Sequence, residues 1–232
     1  MDNRTEFLTT LAQALGREVP RHQPEPAPAP VNDYAQTRLT ELSQQQRCDA
    51  FIEFASTVMM AHCELTCEEQ AAEAALRLCD KYGHQPVIVS GDSRLADLGI
   101  TARLQEACDA VIWDSAKGEE NIRLAERAKV GVVYAEYGLT ESGGVVLFSA
   151  ADRGRSLSLL PESSIFVLRK SAILPRVAQL AQKLHQKAQA GERMPSCINL
   201  ISGPSSTADI ELIKVVGVHG PVNAAYLIIE DC

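Results

Sequence analysis

The chain has 232 residues, of which 46% are hydrophobic and 22% charged, enough apolar side chains for an α/β core and too many for a largely disordered chain. Its formal charge of -8, with no run of Lys or Arg longer than two, removes the electrostatic footprint of a nucleic-acid binder. No stretch approaches the ~18 apolar residues of a membrane span, and the opening MDNRTEFLTTL is charged at Asp2, Arg4 and Glu6 where a secretory signal would be apolar, so a cytoplasmic location with no membrane span is expected.

Asn3 and Glu6 read as a capping box, and Phe7, Leu8, Leu11 and Leu15 recur at helical spacing until Gly16. Prolines at 20, 24, 26, 28 and 30 then predict an extended linker, so residues 1–33 form a helical arm and linker ahead of a main domain over 34–232. The arm's apolar stripe has to be buried on the body or on a second protomer, and the latter offers a route to a homo-oligomer.

Leu39, Leu42, Phe51, Phe54 and Val58 predict helix between Tyr34 and Met60, and Thr66 with Glu69 marks a further helix start running to about Lys81. From there short apolar runs alternate with helical patterns. PVIVS (86–90), AVIW (110–113), VGVVYA (130–135), GVVLF (144–148) and IFVL (165–168) read as strands, with mixed sequence over 95–107 and a helix over 119–129 between them. Such alternation predicts an open, mostly parallel sheet with helices on both faces. Ile173, Leu174, Val177, Leu180, Ala181 and Leu184 predict an amphipathic helix ended by Gly191 and covering one face of that sheet. CINLI (197–201) and AYLII (225–229) read as strands, with a short helix from about Ala208 between them.

Three segments carry side chains suited to chemistry. Ser202–Asp209 (SGPSSTAD) lies between a predicted strand and a predicted helix, which would put it at the carboxyl end of the sheet, where open α/β folds bind ligands. Gly203 allows close backbone approach, Ser205, Ser206 and Thr207 can donate hydrogen bonds, and free N–H groups at the helix start favour a small carboxylate or phosphate. The bland alternative is a helix cap that binds nothing. Gly138–Gly144 (GLTESGG) offers Glu141 as base or nucleophile beside Ser142, or is merely a tight connection in which Gly143 and Gly144 supply positive φ. Glu162 follows soon after as a second carboxylate. Gly217–Pro221 (GVHGP) sets His219 between glycines, where it can exchange protons or hold an anion, or be structural.

The seven cysteines are odd in number and lack framework spacing, which suits free thiols. His62, Cys63 and Cys67 can be drawn as a metal set, but their elements point apart and no metal is expected. There is no CxxC, ferredoxin, GxGxxG, Walker A or GxSxG pattern, so the chain is expected to hold no redox cofactor of its own.

GLTESGG, LLPESS (159–164), SGPSSTADIE (202–211) and GVHGP, in that order and behind a helical arm ending in ALGR, resemble the lactate-utilisation protein C family (LutC/YkgG), built on the LUD domain. The resemblance implies a NagB/RpiA/CoA-transferase-like fold and a part in oxidation of L-lactate to pyruvate alongside a cysteine-rich protein and an iron-sulfur protein, the clusters residing in those partners. It points to Glu141, Asp209 and His219 as catalytic candidates, and to Ser142, Gly143, Gly203, Ser205, Thr207, Glu211 and Gly220 as ligand-binding ones. Ser206 departs from the family, which is often basic there. Asp209 and Glu211, two apart on a helix, would point in different directions, so they do not form a pair. Three roles stay open: a non-redox accessory or substrate-handling subunit, a CoA-transferase-like enzyme using Glu141, and a metabolite-binding regulator.

Overall fold

The computed structural model describes residues 3–18, 28–208 and 213–232. The chain divides into two compact units, Met1–Asp33 and Tyr34–Cys232. In the first, α1 (Asn3–Ala14) is the helical arm, closed by Gly16 at φ +67°, with Phe7, Leu11 and Leu15 exposed.

In the second unit, α2 (Tyr34–Thr37) and α3 (Gln44–Thr57) replace the single predicted helical stretch. The break falls where Leu39 takes φ +64° and Ser43 starts α3 through a capping box with Gln46. There follow β1 (His62–Thr66), α4 (Ala71–Lys81), β2 (Val87–Val89), α5 (Ser93–Asp97), α6 (Ile100–Cys108), β3 (Val111–Ile112), α7 (Glu119–Arg127) and β4 (Val130–Tyr134). The hairpin β5 (Tyr137–Leu139) and β6 (Gly144–Phe148) comes next, then α8 (Ser156–Leu159), β7 (Ser163–Arg169), β8 (Ile173–Leu174) and α9 (Val177–Gln189). The last strands are β9 (Ile198–Ile201), β10 (Ser206–Ala208), β11 (Lys214–Val216) and β12 (Asn223–Ile229).

Six strands form one wholly parallel sheet in the order β1-β12-β7-β4-β2-β3. Parallel strands covered on both faces need apolar side chains in both directions, which is why VGVVY of β4 is buried at every position. Val87, Val89, Val130, Val132, Ile165, Val167, Leu227 and Ile229 face α4, α5 and α6. Ile88, Val133, Phe166, Leu168, Tyr226 and Ile228 face the opposite way, onto Phe51 of α3, Ala125 of α7 and Leu157 of α8. The expected α/β architecture is thus the observed one.

On that second face also lies a small sheet, β8-β5-β6-β9, that the sequence does not announce. Val145, Leu147 and Ile201 turn toward the parallel sheet. Its outer side carries Leu139, Val146 and Leu174 against Leu180 of α9. Two expectations are corrected here. Ile173 and Leu174 pair with β5 as a strand and do not open α9, and α9 covers the small sheet, not the parallel one. Ser206–Ala208 pairs antiparallel with Lys214–Val216, so Ala208 is in a strand, and residues 209–212 of the short helix expected from about Ala208 lie outside the described residues.

Candidate functional site

The Ser202–Ser205 loop leaves β9 of the small mixed sheet, so it does not sit at the carboxyl end of the parallel sheet as expected. It stands over the amino ends of β7 and β12, where Ser164 and Ala224 line the same cleft, a cavity of about 320 Å³. Gly203, Ser205, His219 and Gly220 all line it, so two motifs apart in sequence meet in one place. β10 and β11 pair antiparallel, and two backbone bonds fasten the two motifs: Ser205 N–H to Pro221 O at 2.9 Å and Gly217 N–H to Ser205 O at 2.8 Å. Gly220 packs so closely on Ser205 that a Cβ there would meet its side chain at 3.1 Å.

Gly203 is required on two counts. Its φ is +71°, and a Cβ would collide with the carbonyl oxygen of Met59. Its N–H donates to the Tyr226 hydroxyl at 2.8 Å, and that hydroxyl faces Ile201 O at 3.4 Å. Burial pushes the Tyr226 phenol well above its ordinary value. Its ring lies between Phe51 and Phe166, with centroids 5.6 and 5.7 Å away. Tyr226 is therefore the post on which the loop rests, and only its place in an apolar strand marks it in the sequence. The hydroxyls of Ser202, Ser205 and Ser206 have no hydrogen-bond partner among the described residues and are free to serve a ligand oxygen.

The other candidates fall elsewhere. Glu141 lines a different cavity, with Arg38, Phe54 and Val58. Its carboxylate accepts from Arg176 Nε at 2.6 Å and from the Val177 N–H at 2.7 Å, which makes it the N-terminal cap of α9. Gly143, at φ +56°, presses on the backbone of Ala55, whereas Gly144 is not in the left-handed region. Ser142 is not among the residues that line the cleft, though its hydroxyl and that of Ser202, which does line it, both lie against Gly144. Thr207 lies exposed within β10, paired with Val215. Asp209 and Glu211 lie outside the described residues. Glu162 is paired with Lys129 at 2.5 Å at the amino ends of the parallel strands and does not join Glu141. Among the described residues no group of three or more His, Cys, Asp or Glu is placed to hold a metal ion.

Sequence reasoning missed a charged cluster at the carboxyl ends of β2 and β4. Arg94 is doubly bidentate, to Asp92 (Nε 2.9 Å, Nη2 2.6 Å) and to Glu136 (Nη1 2.9 Å, Nη2 2.6 Å), and it lies 4.0 Å over the Tyr134 ring. Arg153 Nη1 adds bonds to Glu136 at 2.8 Å and Asp92 at 3.2 Å. Burial alone would raise the Asp92 carboxyl, but Arg94, with Arg153 behind it, outweighs burial and holds it below its ordinary value. These residues come from three separate segments, and the one local clue is Asp92 as the cap of α5.

The family comparison decides the identity, because the LUD domain matches residues 48–229, most of the chain. The chain belongs to the LUD domain family. Relatives of this LUD protein extend across its whole length. It is 75% identical to YkgG of Escherichia coli (strain K12), with all of both chains covered. It is 41% identical to Lactate utilization protein C of Macrococcus caseolyticus, over 99% of this chain and 96% of that one. With Lactate utilization protein C of Bacillus subtilis the identity is 38%, over 100% and 98%. A crystal structure of a DUF162 family protein from Deinococcus radiodurans superposes with a TM-score of 0.57 at 20% identity, covering 81% of this LUD chain and 99% of that one, and shows the fold alone.

Proposed function

We propose that this protein serves L-lactate utilisation, as an accessory or substrate-handling subunit of a system that oxidises L-lactate to pyruvate with a cysteine-rich protein and an iron-sulfur protein. The observation that carries the reading is end-to-end similarity to proteins named Lactate utilization protein C. Oxidation of lactate to pyruvate releases two electrons and two protons, and in this reading the electrons go to iron-sulfur clusters of the partners. This chain contributes the hydroxyl-lined cleft. Ser202, Ser205 and Ser206 donate to a small carboxylate, and His219 stands where it can donate to or accept from the substrate hydroxyl. A CoA-transferase-like reaction at Glu141 is disfavoured by the engagement of that carboxylate with Arg176 and Val177.

The test is growth on L-lactate of a strain deleted for this protein and lacking other L-lactate dehydrogenases, complemented by wild type, Ser205→Ala/His219→Gln, or Glu141→Gln. The reading expects no growth of the deletion strain, rescue by wild type and Glu141→Gln, and poor rescue by the cleft variant. Undiminished growth of the deletion strain overturns it. Anaerobic co-purification from lactate-grown cells, with iron and sulfide assayed in the eluate, tests the partner assignment separately.

A further inference from the structure

The order of the parallel sheet reverses between β2 and β4: the chain moves outward from β2 to β3, whereas β4 leads the other way to β7 and β12. Open α/β sheets bind ligands in the crevice at the carboxyl ends of the strands flanking such a reversal. In this protein that position holds the Asp92–Arg94–Glu136–Arg153 cluster, and the hydroxyl-lined cleft lies elsewhere.

Two features of Arg153, the member of that cluster that also lines a neighbouring cavity, ask for an anion. The first is unused donor capacity. Arg153 directs only Nη1 at Glu136 and Asp92, its Nη2 has no partner among the described residues, and its Nε is shut off from solvent with no hydrogen bond. Such an unsatisfied buried donor costs roughly 1–3 kcal/mol and calls for an explanation. The Nε/Nη2 edge of a guanidinium is the planar fork that accommodates two oxygens of a carboxylate or phosphate. The second feature is the cavity itself, about 470 Å³, which Arg153 shares with Arg193, Ser149 and Ser196. Arg193 forms no ion pair among the described residues. Asp152 Oδ1 lies 3.4 Å from Arg153 Nε, outside hydrogen-bonding geometry, on a half-exposed side chain. It is the counter-charge that now lies against that edge.

We infer that the cavity between Arg153 and Arg193 is a second ligand site, which takes the oxyanion group, carboxylate or phosphate, of a small metabolite. Asp152 swings out to solvent, which opens the Nε/Nη2 edge of Arg153 to the anion, and Arg193 closes on it from the opposite segment. The inference does not rest on the lactate reading, since none of these residues lines the hydroxyl cleft.

The experiment is calorimetric titration of the full chain, at ionic strength fixed with chloride, using inorganic phosphate, L-lactate and pyruvate as probes. Wild type is compared with Arg193→Gln, Asp152→Asn and Ser205→Ala/His219→Gln. At least one probe should bind. Arg193→Gln should weaken it on the order of tenfold, the scale of one charge-assisted hydrogen bond. Asp152→Asn should tighten it, because a competing carboxylate is gone, and the cleft variant should leave it unchanged. Both Arg193 and Asp152 project from exposed or half-exposed positions, so neither variant endangers folding. Binding of phosphate alone assigns a phosphoryl ligand, and binding of lactate or pyruvate alone assigns a carboxylate. If no probe binds, or binding is indifferent to both Arg193 and Asp152, the site is refuted. Sensitivity to the cleft variant alone refutes it while leaving the lactate reading intact.

Discussion

Replacement of Asp92 by Ala is expected to be among the most destabilising changes outside the apolar core. The side chain is 4% exposed, caps α5 by accepting from the Arg94 N–H at 3.1 Å, and receives two further bonds from the Arg94 guanidinium. Loss of the cap contributes about 1 kcal/mol. Removing one partner of a buried ion pair costs roughly 3–5 kcal/mol, but Arg94 and Arg153 keep Glu136 and are about a third exposed, so solvent screening reduces that share. About 3 kcal/mol is the expected total, equivalent to a fall in Tm of roughly 6–12 °C. Urea unfolding followed by the fluorescence of Trp113, which is fastened to Val89 O and Ala151 O beside the cluster, reads it directly. Asp92→Asn keeps an acceptor for the cap and should cost less than Asp92→Ala. The folded carboxyl of Asp92 titrates below its ordinary 3.8, so its contribution is fully present above 3.8 and is lost as pH falls through the lower folded value. The gap between wild type and Asp92→Asn should therefore close in strong acid. A cost below about 1 kcal/mol for Asp92→Ala, or a gap that persists in strong acid, would refute the reasoning.

Four further outcomes are expected. Gly203→Ala should destabilise by about 2 kcal/mol or more, since it combines a strained φ with a collision at Met59 O, and chemical denaturation measures it. Tyr226→Phe should cost about 1–2 kcal/mol by leaving the Gly203 N–H without its acceptor, and hydrogen exchange should quicken at that amide. Glu141→Gln should lower stability by about 1 kcal/mol through loss of the Arg176 ion pair while retaining an acceptor for the Val177 N–H, as a thermal melt will show. Thiol labelling of the native protein near neutral pH should modify Cys232 first, with Cys67 and Cys197 following. Cys48, at about 11, and Cys79, at about 12, are pushed up by burial and should react only on unfolding, and the partly exposed Cys63, also pushed up to about 12, should lag behind Cys67 and Cys197.

The parallel sheet was legible because a strand buried on both faces leaves a continuous apolar run, and VGVVYA and IFVL can be little else between helical patterns. The small sheet was not. Its β5 and β8 are short and their pairing is contributed by segments far apart, so Gly138 and Leu139 passed for part of a turn and Ile173–Leu174 for the start of α9. The cleft was legible as two loops, since Gly203 and His219 stand out by residue type, but its position was misjudged because β9 was assigned to the wrong sheet. Glu141 stood out for a good chemical reason and is placed as a helix cap, a role that depends on Arg176 arriving from another element. The charged cluster was hidden for a related reason: Asp92, Glu136 and Arg153 share no spacing, and only the topology makes them neighbours.

The position of β12 bears on how the molecule is assembled during synthesis. The register sets Ala225 opposite both His62 and Ile165, so β1 has no neighbour in the sheet except a strand translated long after it. A nascent chain emerging amino end first can pair β2, β3, β4 and β7 as they appear, whereas β1 waits with its hydrogen-bonding edge bare. Until residues 223–229 leave the ribosome, the sheet is split between a growing block and an orphan strand, and a chaperone that shields β1 in that interval would have a defined target.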